Sequence, residues 1–80
     1  MPFLKELNLS SNALLELPEE IENLKSLEIL NVSNNKLKNI PNSIKNLERL
    51  KKLNLKANFW ITIPQDVKKK LSENNVIIEL

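Results

Sequence analysis

The sequence predicts an α/β solenoid: three stacked units, each contributing one short strand to a parallel sheet. Three observations predict it. Residues 4–26, 27–49 and 50–72 form consecutive blocks of 23, and in register the first two agree at ten positions and the last two at seven. A fixed period in the twenties marks a unit that buries its apolar face only by stacking on copies of itself. Each block also opens with alternation, Leu7-Asn8-Leu9, Leu30-Asn31-Val32 and Leu53-Asn54-Leu55, which is the period of a strand. Finally, Pro18, Pro41 and Pro64 recur at one place in each block. Proline donates no backbone hydrogen bond and holds the residue before it extended, so each block must bend there.

Composition limits what such a chain can do. With 80 residues it is one domain, 1–80, and it buries only roughly 60–65% of its unfolded surface. It contains no cysteine, histidine or glycine. Disulfide staples, imidazole-based nucleophilic sites and most transition-metal sites are therefore absent, as are phosphate-cradling glycine loops. Asparagine is left as the expected residue for left-handed turns. No apolar run approaches the ~18 residues of a membrane span. The start MPFLKELNLSSN lacks the pattern of a signal peptide, and a cytoplasmic location is the default expectation. The net charge of +2 is uneven: residues 1–40 carry four lysines and six glutamates, net −2, and residues 41–80 carry eight basic and four acidic side chains, net +4. The asymmetry is either ordinary solubilising charge or a means of steering an acidic partner.

The elements follow in order. Phe3 precedes the first unit and is placed to fold over its apolar edge; otherwise that edge is open, and an open strand edge invites pairing with another chain. In the three strands Leu7 and Leu9, Leu30 and Val32, and Leu53 and Leu55 point inward. Asn12, Asn35 and Asn58 share one position in the turn after each strand. An amide offers both an acceptor and donors, so these three can satisfy backbone groups where the chain bends. Leu14, Leu37 and Trp60 then fill one core column, and Leu17, Ile40 and Ile63 another. Ile21 and Leu24, like Ile44 and Leu47, lie three apart, as on one turn of a 3₁₀ or α-helix.

The third unit departs from the pattern. Phe59 either covers the end of the stack or stands exposed. The segment 65–74, QDVKKKLSEN, predicts a helix with Val67 and Leu71 at i and i+4, started by Pro64 and Asp66 and stopped at Asn74-Asn75. Residues 76–80 then predict a last strand, with Val76 and Ile78 continuing the columns of Leu53 and Leu55.

The shared frame is L-x-x-L-x-(L/V)-x-x-N, an apolar residue, and (L/I)-P-x-x-(I/V). It resembles the leucine-rich repeat in its 23-residue form, over nearly the whole chain. The resemblance implies a short leucine-rich-repeat solenoid: a right-handed arc with a parallel β-sheet on the concave face and an irregular or 3₁₀ convex side. It implies that the three turn asparagines form the family's ladder, and that residues 65–80 are a C-terminal cap of helix and strand, making the N-terminus the incomplete-looking side. It also implies that the concave face binds another protein or peptide.

The chemistry in the sequence agrees with a binding module and not an enzyme. Glu16, Glu19 and Glu20 lie on an exposed bend with nothing to tune them as acids. The lysines of 68–70 with Lys51, Lys52 and Lys56 raise nucleic acid, but Asp66 and Glu73 dilute them, and only Phe59 and Trp60 offer stacking. No cofactor or metal is expected. The candidate binding residues are the outward columns of the sheet: Glu6, Ile29 and Lys52; Asn8, Asn31 and Asn54; Ser10, Ser33 and Lys56. Residues Asn75, Ile77 and Glu79 are expected to extend them in that order. The bland alternative is that these columns are scaffold. Self-association through the edge at Leu4–Leu9, or a place at the end of a longer repeat array, are the other readings.

Overall fold

A computed structural model describes residues 3–59 and 61–80. Four parallel strands form one sheet in sequence order: β1 (Glu6–Asn8), β2 (Ile29–Asn31), β3 (Lys52–Asn54) and β4 (Ile77–Glu79). Glu6 pairs with Ile29 and Ile29 with Lys52, so the first three strands keep the period of the sequence blocks. Opposite the strands lie two 3₁₀ helices, Glu19–Asn23 and Asn42–Asn46, and then α1 (Gln65–Glu73). The prolines set their starts. Pro18, Pro41 and Pro64 each sit extended immediately before the helical segment, where their missing N–H has no intrahelical partner to lose.

The core lies between these layers and follows the repeat. Leu30, Val32, Leu53 and Leu55 from the sheet meet Leu37, Ile40, Ile44 and Leu47 from the return segments, all buried. Each such side chain contributes roughly 1.5–3 kcal/mol against an exposed state. Val67 and Leu71 of α1 are fully buried while Lys68, Lys69 and Lys70 are exposed. At the first strand burial falls off: Leu4, Leu7, Leu9, Leu14 and Leu24 are only part-buried, because no unit covers them among the described residues.

Several expectations need correction. Phe3 is 89% exposed and does not cover the first unit. It sits in a turn outside the leucine columns, where nothing directs its ring inward. Of the two readings of Phe59 the exposed one holds, since the side chain is 85% exposed. The placement of Trp60 in the core lies outside the described residues.

The register of the last strand also differs. Lys52 pairs with Ile77, Leu53 with Ile78 and Asn54 with Glu79. The step from β3 to β4 is two positions longer than the steps before it. Ile78 therefore joins the column of Leu53, and Val76, though buried, precedes the strand. Helix α1 explains the added positions. An α-helix advances about 1.5 Å per residue against about 2.0 Å for 3₁₀, so more chain is needed to cross the same convex surface.

The left-handed turns are not carried by asparagine alone. Ser11, Asn34 and Ala57 have φ of 59°, 55° and 59°. They occupy one place in successive blocks, immediately before each ladder asparagine. Ala13 and Asn75 also have positive φ. In this backbone the N–H of Ser11 donates to the Ser33 carbonyl at 3.1 Å, and that of Asn34 to the Lys56 carbonyl at 2.8 Å. The turn is thus held across units by its position in the stack, and side-chain type is secondary.

Candidate functional site

The sheet positions every residue of the candidate surface. Buried Leu30 lies between Ile29 and Asn31, and buried Leu53 between Lys52 and Asn54, so the flanking side chains are turned to the other face. Pairing brings Glu6, Ile29 and Lys52 into one column and Asn8, Asn31 and Asn54 into the next. Ser10, Ser33 and Lys56 follow just beyond the strand ends. The corrected register then puts Ile77 beside Lys52 and Glu79 beside Asn54, so neither stands where the block period would put it, and Asn75 falls outside the sheet. Ile77 is 62% exposed, whereas Ile29 is half-buried.

The central column is more constrained than a row of solvent-facing amides. Asn8 Oδ1 accepts the Ser10 N–H at 3.0 Å and the Ser10 hydroxyl at 2.6 Å. Asn31 Oδ1 accepts the Ser33 N–H at 3.0 Å, and Asn54 Oδ1 accepts the Lys56 N–H at 3.1 Å. Each asparagine therefore closes a turn onto its own chain two residues on, a habit of this side chain. The oxygens are engaged and point along the chain. The Nδ2 groups make no hydrogen bond among the described residues. The signal was present in the recurring Asn-x-(Ser/Lys), but alternation of polar and apolar residues does not reveal it.

Charge on the face is concentrated at its C-terminal end. Glu79 is bridged by two lysines, with Lys52 Nζ 3.2 Å from one carboxylate oxygen and Lys56 Nζ 3.7 Å from the other. Glu6 lies at the opposite corner, on β1. On the convex side Lys45 joins the second 3₁₀ helix to α1 through Asp66 at 3.1 Å. That hydrogen bond holds the exposed Asp66 carboxyl below the usual carboxylate range.

Behind the face Asn35 and Asn58 tie the units together, whereas the Asn12 side chain donates only to the Leu9 and Ser10 carbonyls of its own unit. Asn35 Oδ1 accepts the N–H groups of Asn12 and Leu14, both at 2.9 Å. Its Nδ2 donates to the carbonyls of Leu9, Val32 and Ser33 at 3.0, 2.9 and 3.1 Å. Asn58 repeats this one unit on, accepting from Leu37 and donating to Val32, Leu55 and Lys56. Asn35 and Asn58 are buried, so they are structural and closed to ligands. Among the described residues no group of three or more histidine, cysteine, aspartate or glutamate side chains could hold a metal ion, and no helix is long and apolar enough to cross a membrane.

Comparison with known proteins agrees with this geometry. A family model described as a leucine-rich repeat region matches residues 2–73. Among solved structures, a leucine-rich-repeat protein of Leptospira interrogans is similar, with 29% identity and a TM-score of 0.56. The match covers 99% of this chain and 26% of that one, so the chain spans about a quarter of its length. No curated protein matches significantly. With the match spanning nearly all of a chain whose strands return once per block, the chain belongs to the leucine-rich-repeat family, whose members commonly mediate protein interaction.

Proposed function

We propose that residues 1–80 act as one non-catalytic module that binds a protein or peptide through the concave sheet face. In this reading, units 4–26, 27–49 and 50–72 supply the surface and 65–80 close its C-terminal end. The observation that carries it is the paired row of Asn8, Asn31 and Asn54, whose oxygens are engaged and whose amide nitrogens have no partner among the described residues. Polar groups of that kind gain most from a ligand that completes their hydrogen bonds. Four strands at about 4.8 Å make a sheet only ~15 Å across, so the contact is smaller than a standard interface of ~800 Å² per partner, and moderate affinity is expected.

The test uses peptides selected from a displayed library on the immobilised chain. Asn31→Asp keeps the Oδ1 that accepts the Ser33 N–H but removes the amide donors. Lys52→Ala removes the cation beside it. Both should weaken the selected peptides at least about tenfold with an unchanged circular dichroism spectrum. Unchanged affinity in both would place binding elsewhere.

A second reading is self-association. It is favoured by β1, which pairs on one side only among the described residues, with part-buried leucines beside it. Phe3→Asp should then convert an oligomer to a monomer on a sizing column.

A further inference from the structure

We propose that the concave face is a hydrogen-bond-donating surface for an acidic, extended segment of a partner protein, and that Glu79 occupies the seat of one of that segment's carboxylates. The proposal rests on the concave-face reading and deepens it to the chemistry of the partner.

Two observations carry it. The first is polarity. Asn8, Asn31 and Asn54 have their oxygens engaged by backbone N–H groups two residues on. Each keeps an NH₂ group with two unused donors, against at most one remaining lone pair on its oxygen, so donors predominate on this row. Lys52 and Lys56 add cationic donors beside that row. A partner that completes these groups must bring acceptors, as backbone carbonyls and carboxylates do. A segment rich in donors would leave both sides unpaired.

The second observation is an occupied example. The Glu79 carboxylate already lies across Lys52 and Lys56, at 3.2 and 3.7 Å. The two cations are thus spaced to hold one carboxylate between them, and charge-assisted contacts of this kind are the strong ones. Lys52 and Lys56 remain about half exposed. Solvent-exposed ion pairs hold weakly, so Glu79 can yield to a partner that engages the amide row as well. Ile29 and Ile77 lie on either side of Lys52 in the same column. They suit apolar side chains flanking the partner's acidic one. Nucleic acid is disfavoured: Glu6 and Glu79 sit in the strands of this face, and none of the four strands contains an aromatic, so both the charge and the stacking it uses are wrong.

The experiment uses the full chain and two fluorescein-labelled decapeptides, alternating Glu and Thr or alternating Gln and Thr. Affinity is read by fluorescence anisotropy and location by the side-chain amide signals of Asn31 and Asn54 in NMR spectra. The acidic peptide should bind in preference to the neutral one and shift both amide signals. Glu79→Gln should tighten it roughly three- to tenfold by removing the competing carboxylate, and added salt should weaken it. Equal binding of the neutral peptide with the same amide shifts would overturn the acidic assignment while leaving the concave-face reading standing. So would an unchanged affinity in Glu79→Gln. Acidic peptide that leaves Asn31 and Asn54 unmoved and shifts Lys68–Lys70 instead would overturn both. Tighter binding of an oligothymidylate to the same amides would reassign the face to nucleic acid, and no binding of the acidic peptide to Glu79→Gln at millimolar concentration would also overturn the proposal.

Discussion

Replacing Asn35 with alanine tests how the units are held together. The side chain makes five hydrogen bonds, but they are not equally exposed to loss. Of its three carbonyl partners, Leu9 O also receives Asn12 Nδ2 at 2.9 Å, Val32 O receives Asn58 Nδ2 at 3.0 Å, and Ser33 O receives the Ser11 N–H at 3.1 Å. All three keep a partner in the variant. The N–H groups of Asn12 and Leu14 have only the Asn35 oxygen among the described residues. Each orphaned donor costs about 1–3 kcal/mol when buried, less where water reaches it. Asn12 is exposed and Leu14 half-buried, so the loss should total about 2–4 kcal/mol. A domain of this length has only roughly 4–12 kcal/mol of stability. The melting temperature should therefore fall by about 10–25 °C. Asn12→Ala is the internal control. It removes donors to Leu9 O and Ser10 O on an exposed turn, and Leu9 O keeps Asn35, so its effect should stay below about 1 kcal/mol. Urea unfolding followed by circular dichroism compares the two. Asn12→Ala destabilising as much as Asn35→Ala would refute the reasoning, because the ladder would then act by local turn closure and not by bridging units.

Two further outcomes follow from the geometry. Ala57 has φ of 59°, which strains an L-residue by roughly 1–2 kcal/mol that glycine avoids. Ala57→Gly should therefore stabilise by about 0.5–1 kcal/mol after glycine's entropy is counted, whereas Asn34→Gly should be near neutral; urea midpoints check both. The Asp66 carboxyl is held below its usual range by the Lys45 hydrogen bond. A depressed folded-state pKa contributes stability present above the unfolded value and lost as pH falls through the folded one. The small stability gap between the native chain and Asp66→Asn should thus be present at pH 7, begin to shrink near about pH 4 and be lost as the pH falls further; a gap that persists at low pH would contradict the assignment.

How much was legible in the sequence follows from what repeats. The strands, the core columns and the ladder recur once per block, so Leu30, Leu53 and Asn35 could each be placed by comparison with their counterparts. Helix α1 was legible from Val67 and Leu71 at i and i+4 and from the proline before them. Its consequence for β4 was not, because the period carries no information about rise per residue once 3₁₀ gives way to α. Ile77 and Glu79 were therefore assigned to the wrong columns. The left-handed turns at Ser11 and Ala57 were missed for a related reason. At Ser11 the turn is held by an N–H contact to the next unit, and at Ala57 the same backbone recurs at the same place in a later block, so residue type at those positions is weakly constrained. The outward columns were legible as polar, but the direction of each amide was not. That direction depends on backbone N–H groups two residues away, which appear only with the fold.

Binding at the concave face can be located atom by atom. Side-chain amide signals are followed in two-dimensional NMR spectra as a library-selected peptide is titrated into the full chain. Shifts are expected at Asn8, Asn31 and Asn54, whose nitrogens have no partner among the described residues, with buried Asn35 and Asn58 nearly still. Movement confined to Asn42, Asn46 and Asn74, on the convex side and at the end of α1, would contradict it and place binding on the opposite surface.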